Sequence, residues 1–183
     1  MISAKAMWPT THSLGNIRGE IVFEQISENS PVLVTIDLHN VPPGVHGLHI
    51  HERGFRNKAD LEKGCAALGG HFNPTNAQHG SVWLGTERHA GDLINNVLAD
   101  ANGNVQCYFL DGAFNVSEII GRSVVLHGEP DDLGGESHVH FEPIGCFGVP
   151  VVERAYEDKA RRAESLRTGN AGKRIACANI SEF

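Results

Sequence analysis

The sequence lacks a long apolar run, and it lacks a leader in which charged residues precede an apolar segment. Its N-terminal segment contains Lys5, Trp8 and Pro9, which makes it too polar for a signal peptide. A transmembrane helix needs about 20 predominantly apolar residues in a row, and no stretch offers them. From these absences we expect a cytoplasmic protein that has no membrane partner.

Positive charge is also scarce. Lysine and arginine total 15, against 22 aspartate and glutamate residues, which gives a formal net charge of −7. A protein that binds nucleic acid needs a basic face for the phosphate backbone, so we expect no nucleic-acid partner. The balance does not exclude a small anionic substrate, because the approach of such a substrate depends on the local field.

Cysteine is sparse as well. In a reducing compartment Cys65, Cys107, Cys146 and Cys177 are free thiols by default. The length of 183 residues and the 40% of hydrophobic residues predict one globular domain with a full core. We expect that domain to span residues 1–183.

The dominant hydrophobic period is two residues, which is typical of β-strands. Glycine, proline and asparagine residues separate the alternating runs. Many short strands without intervening helices predict an all-β protein, either a sandwich or a barrel. The eight predicted strands span residues 4–8, 19–26, 32–38, 45–51, 93–98, 105–110, 123–127 and 174–180.

Two long stretches interrupt the strand pattern, at about residues 52–88 and about residues 128–172. Loops of this length in a compact domain are either functional or disordered. The histidines of the first stretch favour a functional, metal-binding loop.

The second stretch contains a candidate helix, because apolar residues recur at spacings of three and four among charged ones. We interpret it as a surface helix that covers a sheet edge or a barrel end, in preference to a helix that binds a partner. Its apolar positions are Val152, Tyr156, Ala160, Ala163 and Leu166.

His49 and His51 lie two residues apart on a predicted strand. Residues i and i+2 of a strand point to the same face of the sheet, so both imidazoles project to one side. Imidazole is a good ligand for copper and zinc. The pair alone is more typical of two solvated histidines on a surface strand, so its meaning depends on the remaining histidines.

A second group consists of three histidines and one aspartate, which form the complete ligand set of a closed tetrahedral zinc site. Glycines precede the first of them, His71, and permit close approach of the backbone. With 11 histidines some clustering is expected by chance, but a set that ends in His-x-x-Asp is much less so. The full candidate set for two metal ions that share one ligand is His49, His51, His71, His79, His89, Asp92 and His127.

Motifs over nearly the whole chain, from about residue 15 to residue 180, support this interpretation. They are residues 47–52, 64–65, 70–74, 87–93, 120–127, 131–134 and 169–177. In this order they resemble the copper/zinc superoxide dismutase family. The resemblance implies an eight-stranded antiparallel Greek-key β-barrel or sandwich, immunoglobulin-like, with two long functional loops and a short helix in the second. It also implies an oxidoreductase that converts superoxide to O₂ and H₂O₂ in antioxidant defence.

The resemblance implies one copper ion and one zinc ion per chain. The copper ligands would be His49, His51, His71 and His127. The zinc ligands would be His71, His79, His89 and Asp92. His71 would therefore be an imidazolate bound by both metals, and it would release copper and take up a proton during each cycle.

Two further roles follow from the same resemblance. Asp131 resembles the aspartate that ties His49 to His79 and orients both rings. Arg174 resembles the arginine beside copper that receives the superoxide anion. His71 and Arg174 are thus the expected catalytic residues.

Cys65 and Cys177 resemble the intrasubunit disulfide of the family, which overrides the default of free thiols. A link between residues so far apart in sequence should stabilise the fold by roughly 4–5 kcal/mol in the chain-entropy model. Cys107 and Cys146 match no family position and remain predicted free thiols.

The resemblance also implies electrostatic steering of the substrate. Arg167 aligns with a position that is usually lysine, and other cations lie upstream at Lys159, Arg161 and Arg162. We expect some of these to raise the potential near the copper channel, so that the rate falls with rising salt. The alternative is solvated charge, because acidic residues are interleaved.

The chain is longer than the family pattern in two places. Residues 135–166 extend the loop that lines the substrate channel, and residues 53–63 extend a loop that contributes to the dimer interface. We still expect a homodimer. His138 and His140 would share one side of an extended segment, and we interpret them as solvent-exposed in preference to a further metal site. Cys146 lies in the same insertion.

Two alternatives compete with a catalytic enzyme. A non-catalytic relative, such as a copper-chaperone domain or a metal-binding scaffold, would lack a copper ligand or the channel arginine, and this chain retains them all. An interaction protein would act through the inserted helix. Deleting residues 135–166 and measuring dismutation would separate that role from catalysis.

Overall fold

A computed structural model describes residues 1–8, 16–134, 137–144, 147–155 and 158–183. The strands are β1 (Ile2–Trp8), β2 (Arg18–Gln25), β3 (Val32–His39), β4 (Gly44–His51), β5 (Asn96–Ala99), β6 (Val105–Asp111), β7 (Ser123–His127), β8 (Ser137–Ile144), β9 (Phe147–Ala155) and β10 (Arg174–Glu182). The helices are α1 (Lys58–Lys63), α2 (Val116–Ile119) and α3 (Lys159–Thr168). None of the helices in these ranges has the length and hydropathy that a membrane crossing requires.

The strands form one antiparallel sheet in the order β6-β3-β2-β1-β10-β7-β4-β5-β9-β8. The first eight strands of that order curl into a nearly closed barrel, which confirms the predicted all-β, eight-stranded architecture. The alternation of apolar and polar residues along the strands favours a closed barrel, because it places the apolar side chains on one face of the sheet. In β2, for example, Ile21 and Phe23 are fully buried while their neighbours are partly exposed, so one face of each strand lines the core.

The eight predicted strands are confirmed, and the largest shift of a boundary is at the start of the fifth strand. The prediction started the fifth strand at residue 93, but β5 begins at Asn96. Leu93 and Asn95 have positive φ angles of 51° and 62°, and a strand cannot continue through that conformation.

The prediction that the stretch at about residues 128–172 is a long loop with a single helix is wrong, because it also contains two strands. Residues within it form the hairpin β8–β9, whose strand β9 pairs with β5 through Val97 and Phe147. The hairpin therefore extends the edge of the sheet. The helical period failed here because β-branched residues such as Val151 and Val152 favour a strand.

The candidate helix is confirmed only over its second half. Val152 lies in β9, and Tyr156 lies outside the described residues. The helix α3 begins after Asp158, whose carboxylate accepts hydrogen bonds from the backbone N–H groups of Ala160 and Arg161. This N-cap fixes the start of the helix, which is later than the apolar pattern predicts.

Strand β4 links the core to the site. Leu48 and Ile50 point into the barrel and are fully buried in the main core. His49 and His51 point to the other face and are also fully buried, because the segment after β4 folds back over that face. The site thus lies outside the barrel wall, between the wall and its covering loops.

A disulfide attaches this covering loop to the barrel. Cys65 and Cys177 are bonded, with 5.9 Å between their Cα atoms and a sequence separation of 112, as predicted. Cys177 lies on β10 and packs with Leu68 and Val125 in a small second core. Cys107 takes part in no disulfide.

Candidate metal centre

Two elements of regular structure position the first group of histidines. His49 and His51 project from the outer face of β4, and His127 ends the neighbouring strand β7. These two strands pair in register, with His49 opposite Val125 and His51 opposite Ser123. Rigid strands therefore fix three imidazoles on one surface of the barrel.

His71 reaches this surface through the covering loop. It forms an isolated β-bridge with His51. The next residue, Phe72, donates its backbone N–H to Ile50 O at 2.8 Å and accepts from Gly91 N–H at 2.8 Å. A Cβ atom on Gly91 would lie 2.2 Å from Ile50 O, so only glycine permits these three segments to meet.

A second group converges on one carboxylate. Oδ1 of Asp92 lies 2.8 Å from Nδ1 of His71, 3.0 Å from Nδ1 of His79 and 3.1 Å from Nδ1 of His89. All four residues are buried. Their potential ligand atoms lie within 4.8 Å of one another, which is a spacing that one metal ion can bridge.

The ligand atoms of the first group lie as close together as those of the second, but the first group contains no carboxylate. Potential ligand atoms of His49, His51, His71 and His127 also lie within 4.8 Å of one another. The rings of His49 and His71 are only 4.0 Å apart between centroids. His71 therefore belongs to both groups and stands between them.

The hydrogen bonds of the first group leave one nitrogen unused in each of three rings. Nε2 of His49 donates to Asp131 at 2.6 Å, and Nδ1 of His51 donates to Gly69 O at 3.0 Å. The opposite nitrogens, together with Nε2 of His127, are buried and have no hydrogen-bond partner among the described residues. Unpaired buried nitrogens are costly, and a coordinated metal ion satisfies them, so these residues fit a metal.

Asp131 joins the two groups. Its Oδ2 accepts from Nε2 of His49 and its Oδ1 accepts from Nε2 of His79 at 2.9 Å. Each ring thereby keeps Nδ1 for a metal. The backbone of Asp131 is held in turn by the Asn96 side chain, which accepts from its N–H and donates to its C=O, both at 2.8 Å.

Sequence analysis missed Asn96. A signal was present, because two amide residues, Asn95 and Asn96, interrupt an otherwise apolar predicted strand at residues 93–98. Buried amides in such positions are retained for specific hydrogen bonds. The partner, 35 residues away in sequence, could be recognised only in the folded chain.

The pKa values reflect the different charge environments. Burial, followed by the field of nearby His49, lowers the pKa of His71 to about 3, despite its contact with Asp92. Burial also holds the pKa of His51 and His127 well below the usual value. These rings are therefore neutral at pH 7 and have nitrogen lone pairs for a metal.

His79 behaves in the opposite way. Burial lowers its pKa, but the carboxylates of Asp131 and Asp92 outweigh that effect and raise the pKa to about 10. The same contacts hold the pKa of both carboxyl groups below the usual range against the effect of burial. In the absence of a metal, a proton on His79 thus balances part of the carboxylate charge, and a bound metal would displace it.

Arg174 faces the first group across an open cleft of about 510 Å³, whose walls include His51, His71 and His127. Its guanidinium donates to Cys65 O at 2.7 Å and to Gly69 O at 2.6 Å. Burial lowers its pKa, although Glu52 opposes that effect, and the group remains cationic. The arrangement presents a fixed positive charge beside the unpaired nitrogens.

Helix α3 forms another wall of this cleft. Backbone N–H of His79 donates to Leu166 O at 2.9 Å, and Ser165 Oγ donates to Asp132 at 2.7 Å, so the helix is anchored to the site. Arg167 lines the cleft, but its guanidinium is paired with Glu164 at 2.5 Å. Much of its charge is therefore compensated.

The structure brings together every candidate ligand that the sequence singled out. The same holds for Asp131, Arg174 and the pair Cys65–Cys177. The side chains of His138 and His140 lie outside the described residues, as does Cys146.

Comparisons with known proteins decide the family. A family model described as copper/zinc superoxide dismutase matches residues 17–180. The chain belongs to this family. It is 35% identical over 180 residues to superoxide dismutase [Cu-Zn] of Onchocerca volvulus, covering 94% of this chain and 96% of that protein.

Two further similarities span most of the chain. It is 35% identical over 170 residues to the extracellular superoxide dismutase [Cu-Zn] of Brugia pahangi, covering 91% of this chain and 70% of that protein. A crystal structure of a protein described as clock protein EA4 has 34% identity and a TM-score of 0.74, covering 99% of this chain and 94% of that one.

Family membership and the two ligand groups confirm four expectations. The protein is an oxidoreductase, its reaction is the dismutation of superoxide, and its cofactors are copper and zinc. The predicted Greek-key β-barrel is confirmed by the same match and by the observed strands.

Proposed function

We propose that the chain dismutates superoxide at a two-metal centre in which His71 bridges the ions. The proposed copper ligands are His49, His51, His71 and His127. The proposed zinc ligands are His71, His79, His89 and Asp92. The observation that carries the assignment is the set of buried, unpaired ring nitrogens in the all-imidazole group, opposite a group closed around the Asp92 carboxylate.

The chemistry of the donors supports this division. Three imidazoles and a carboxylate form a closed zinc site, and zinc does not change oxidation state there. A group of imidazoles alone suits copper, and it borders the open cleft. When bound, copper supplies the one-electron oxidation and reduction of superoxide, and zinc supplies a fixed positive charge.

His71 acts as the proton carrier in this proposal. Its Nδ1 faces Asp92 and His89, at 2.8 Å and 3.4 Å respectively, and belongs to the zinc side. Nε2 then belongs to the copper side, where it takes up a proton whenever it is free of the metal and gives that proton to the reduced substrate. The bridge to His51 and the hydrogen bond from Phe72 hold the ring in place during both steps.

Arg174 binds and orients the substrate anion. Two carbonyl oxygens hold its guanidinium, so no reorganisation is needed when the anion arrives. One of these carbonyls belongs to Cys65, whose side chain is bonded to Cys177 on β10. The disulfide thus supports the position of the cation as well as the fold.

The decisive experiment combines metal analysis with kinetics. Purified chain, loaded with both ions, should contain one copper and one zinc and should consume superoxide rapidly. A crystal of the oxidised, loaded protein should have His71 in contact with both ions. A ring that contacts only one of them, or neither, would contradict the proposed bridge.

We propose further that residues 1–183 act as a single domain and assemble as a homodimer. Ile120 is 37% exposed beside Gly121, which supports an apolar contact there. Ile180, in contrast, is buried in the barrel of one chain and is not available to a partner. Light scattering should give a dimer mass, and Ile120→Asp should reduce that mass to the monomer.

We propose a cytoplasmic protein with no membrane or nucleic-acid partner. The net charge of −7 supports the lack of a nucleic-acid partner. One relative is named as extracellular, so the location needs its own test. Fractionation of cells that express the tagged chain should place it in the cytosolic fraction, and appearance in the medium would contradict the proposal.

A further inference from the structure

Asn95 is a buried residue for which the ligand assignment gives no role. It is completely inaccessible to solvent and has a positive φ angle of 62°. Asparagine tolerates this conformation better than most residues. Burying an amide requires that its polar groups find partners, so the contacts of Asn95 indicate what it does.

The backbone of Asn95 joins the two ligand groups. Its N–H donates to Asp92 O at 2.8 Å, and its C=O accepts from the N–H of Leu48 at 2.9 Å. Asp92 belongs to the zinc group, and Leu48 directly precedes His49 of the copper group. The main chain of Asn95 is therefore fixed between the two ligand groups.

The side chain of Asn95 reaches the remaining part of the centre. Nδ2 donates to Gly80 O at 2.8 Å and to Oδ2 of Asp131 at 3.3 Å. Both neighbours are acceptors, which fixes the orientation of the amide. Oδ1 is buried and has no donor among the described residues. The amide nitrogen thus faces the Gly80 carbonyl and the Asp131 carboxylate, while the amide oxygen stays unsatisfied.

We propose that Asn95 is a positioning residue that fixes the carboxylate of Asp131. Oδ2 of Asp131 also accepts from His49, and Oδ1 accepts from His79. Asn95 holds this carboxylate and also the carbonyl of Gly80, the residue after His79. It thereby sets the orientation of the His49 ring in one group and of the His79 ring in the other. The inference rests on the proposed metal ligands.

The test replaces only the amide. Asn95→Gly keeps the left-handed backbone accessible and removes the side chain. Asn76→Gly is the matched control, because Asn76 has a φ angle of 56°, lies in the same loop and is exposed. Both variants and the unsubstituted full chain are loaded with copper and zinc. Zinc transfer to a chromophoric chelator and the paramagnetic resonance spectrum of copper are then measured.

Asn95→Gly should release zinc about ten times faster, the lower end of the range for groups that orient metal ligands, and its copper spectrum should change. Asn76→Gly should match the unsubstituted chain in both. Equal release and equal spectra for all three proteins would overturn the inference. Failure of the unsubstituted chain to bind both metals would instead overturn the ligand assignment.

Two additional variants protect the test. If Asn95→Gly does not fold, Asn95→Asp preserves the shape and replaces the donor with an acceptor that faces Asp131, so zinc release should again accelerate. In an Asp131→Asn background, Asn95→Gly should add little further change, because the proposed path runs through that carboxylate. Unchanged release from Asn95→Asp, or a full additive effect in that background, would contradict the role.

Discussion

The two halves of the proposed metal centre share His71 but differ in charge and in access to solvent. On the zinc side, three imidazole nitrogens surround the Asp92 carboxylate, and the group is closed. On the copper side, imidazoles alone leave buried nitrogens unpaired and border a cleft that contains Arg174. One half is suited to hold a cation permanently, and the other to admit an anion beside a metal that changes charge.

The difference shows how one ring can serve two purposes. The Asp92 carboxylate holds Nδ1 of His71 at 2.8 Å, so under the proposed assignment the ring would keep its orientation when Nε2 is free of copper. The closed group around Asp92 would therefore allow reversible binding of His71 to the metal on the other side. This asymmetry predicts that substitutions on the two sides have separable effects.

The largest expected effects come from removing an unshared ligand on either side. His127→Gln should lose copper and at least about 100-fold in dismutation rate while keeping one zinc per chain. His89→Gln should lose zinc and retain copper. Metal analysis of the two purified variants, followed by superoxide consumption, measures both. Loss of both metals from each variant would show that the halves are not separable.

Acid should destabilise the metal-free chain. The pKa of His71 is about 3 in the folded state, against an unfolded value of 6.5, so between these limits the unfolded chain binds more protons. The free energy of unfolding should therefore fall as the pH falls from 6.5 towards 3, by at most about 5 kcal/mol for this residue. The lowered pKa values of His51 and His127 act in the same direction.

Alkali tests the zinc side instead. The pKa of His79 is raised to about 10, so its contribution is complete below pH 6.5 and is lost as the pH rises through 10. Urea unfolding of the metal-free protein from pH 4 to pH 10 should show that the free energy of unfolding falls towards both ends of this range. His79→Gln should remove only the decrease at alkaline pH. A free energy of unfolding that does not depend on pH would contradict both the acid and the alkaline prediction.

Removing the cation of the cleft should have a smaller effect than removing a ligand. Arg174→Ala should lower the rate constant by about 10- to 100-fold without changing the metal content, because it removes attraction for the anion. Arg174→Lys keeps the charge and should lose less. Stopped-flow rates for both variants over a range of ionic strength provide the measurement. A rate for Arg174→Ala equal to that of the unsubstituted chain would rule out this role.

The smallest expected effects concern the α3 wall. Arg167 is paired with Glu164, so Arg167→Gln should lower the rate by no more than about two-fold at low salt. Glu164→Gln should free the cation and raise the rate by a similar factor. Both changes should disappear at high salt. Effects of the same sign for the two variants would show that their charges do not act through the field of the cleft.

How far the sequence could predict this protein varied from region to region. Alternating residues predicted the barrel strands because side chains on one face must be buried. The same approach missed the strands at residues 137–155, which pair as a hairpin inside a stretch predicted to be a long loop with one helix. Spacing alone did not distinguish these outcomes, since the pairing partner β5 lies far away in sequence.

Residue types and local spacing indicated which ligands the chain offers, namely imidazoles two apart on a strand and one carboxylate among histidines, and the family resemblance added Arg174. Only the tertiary structure decided which nitrogens stay unpaired, which carboxylate oxygen meets which ring, and that Asn95 and Asn96 hold Asp131. These outcomes depend on differences of a few tenths of an ångström in the distances between segments that are far apart in sequence. Such distances arise from packing and loop closure, which no local pattern encodes.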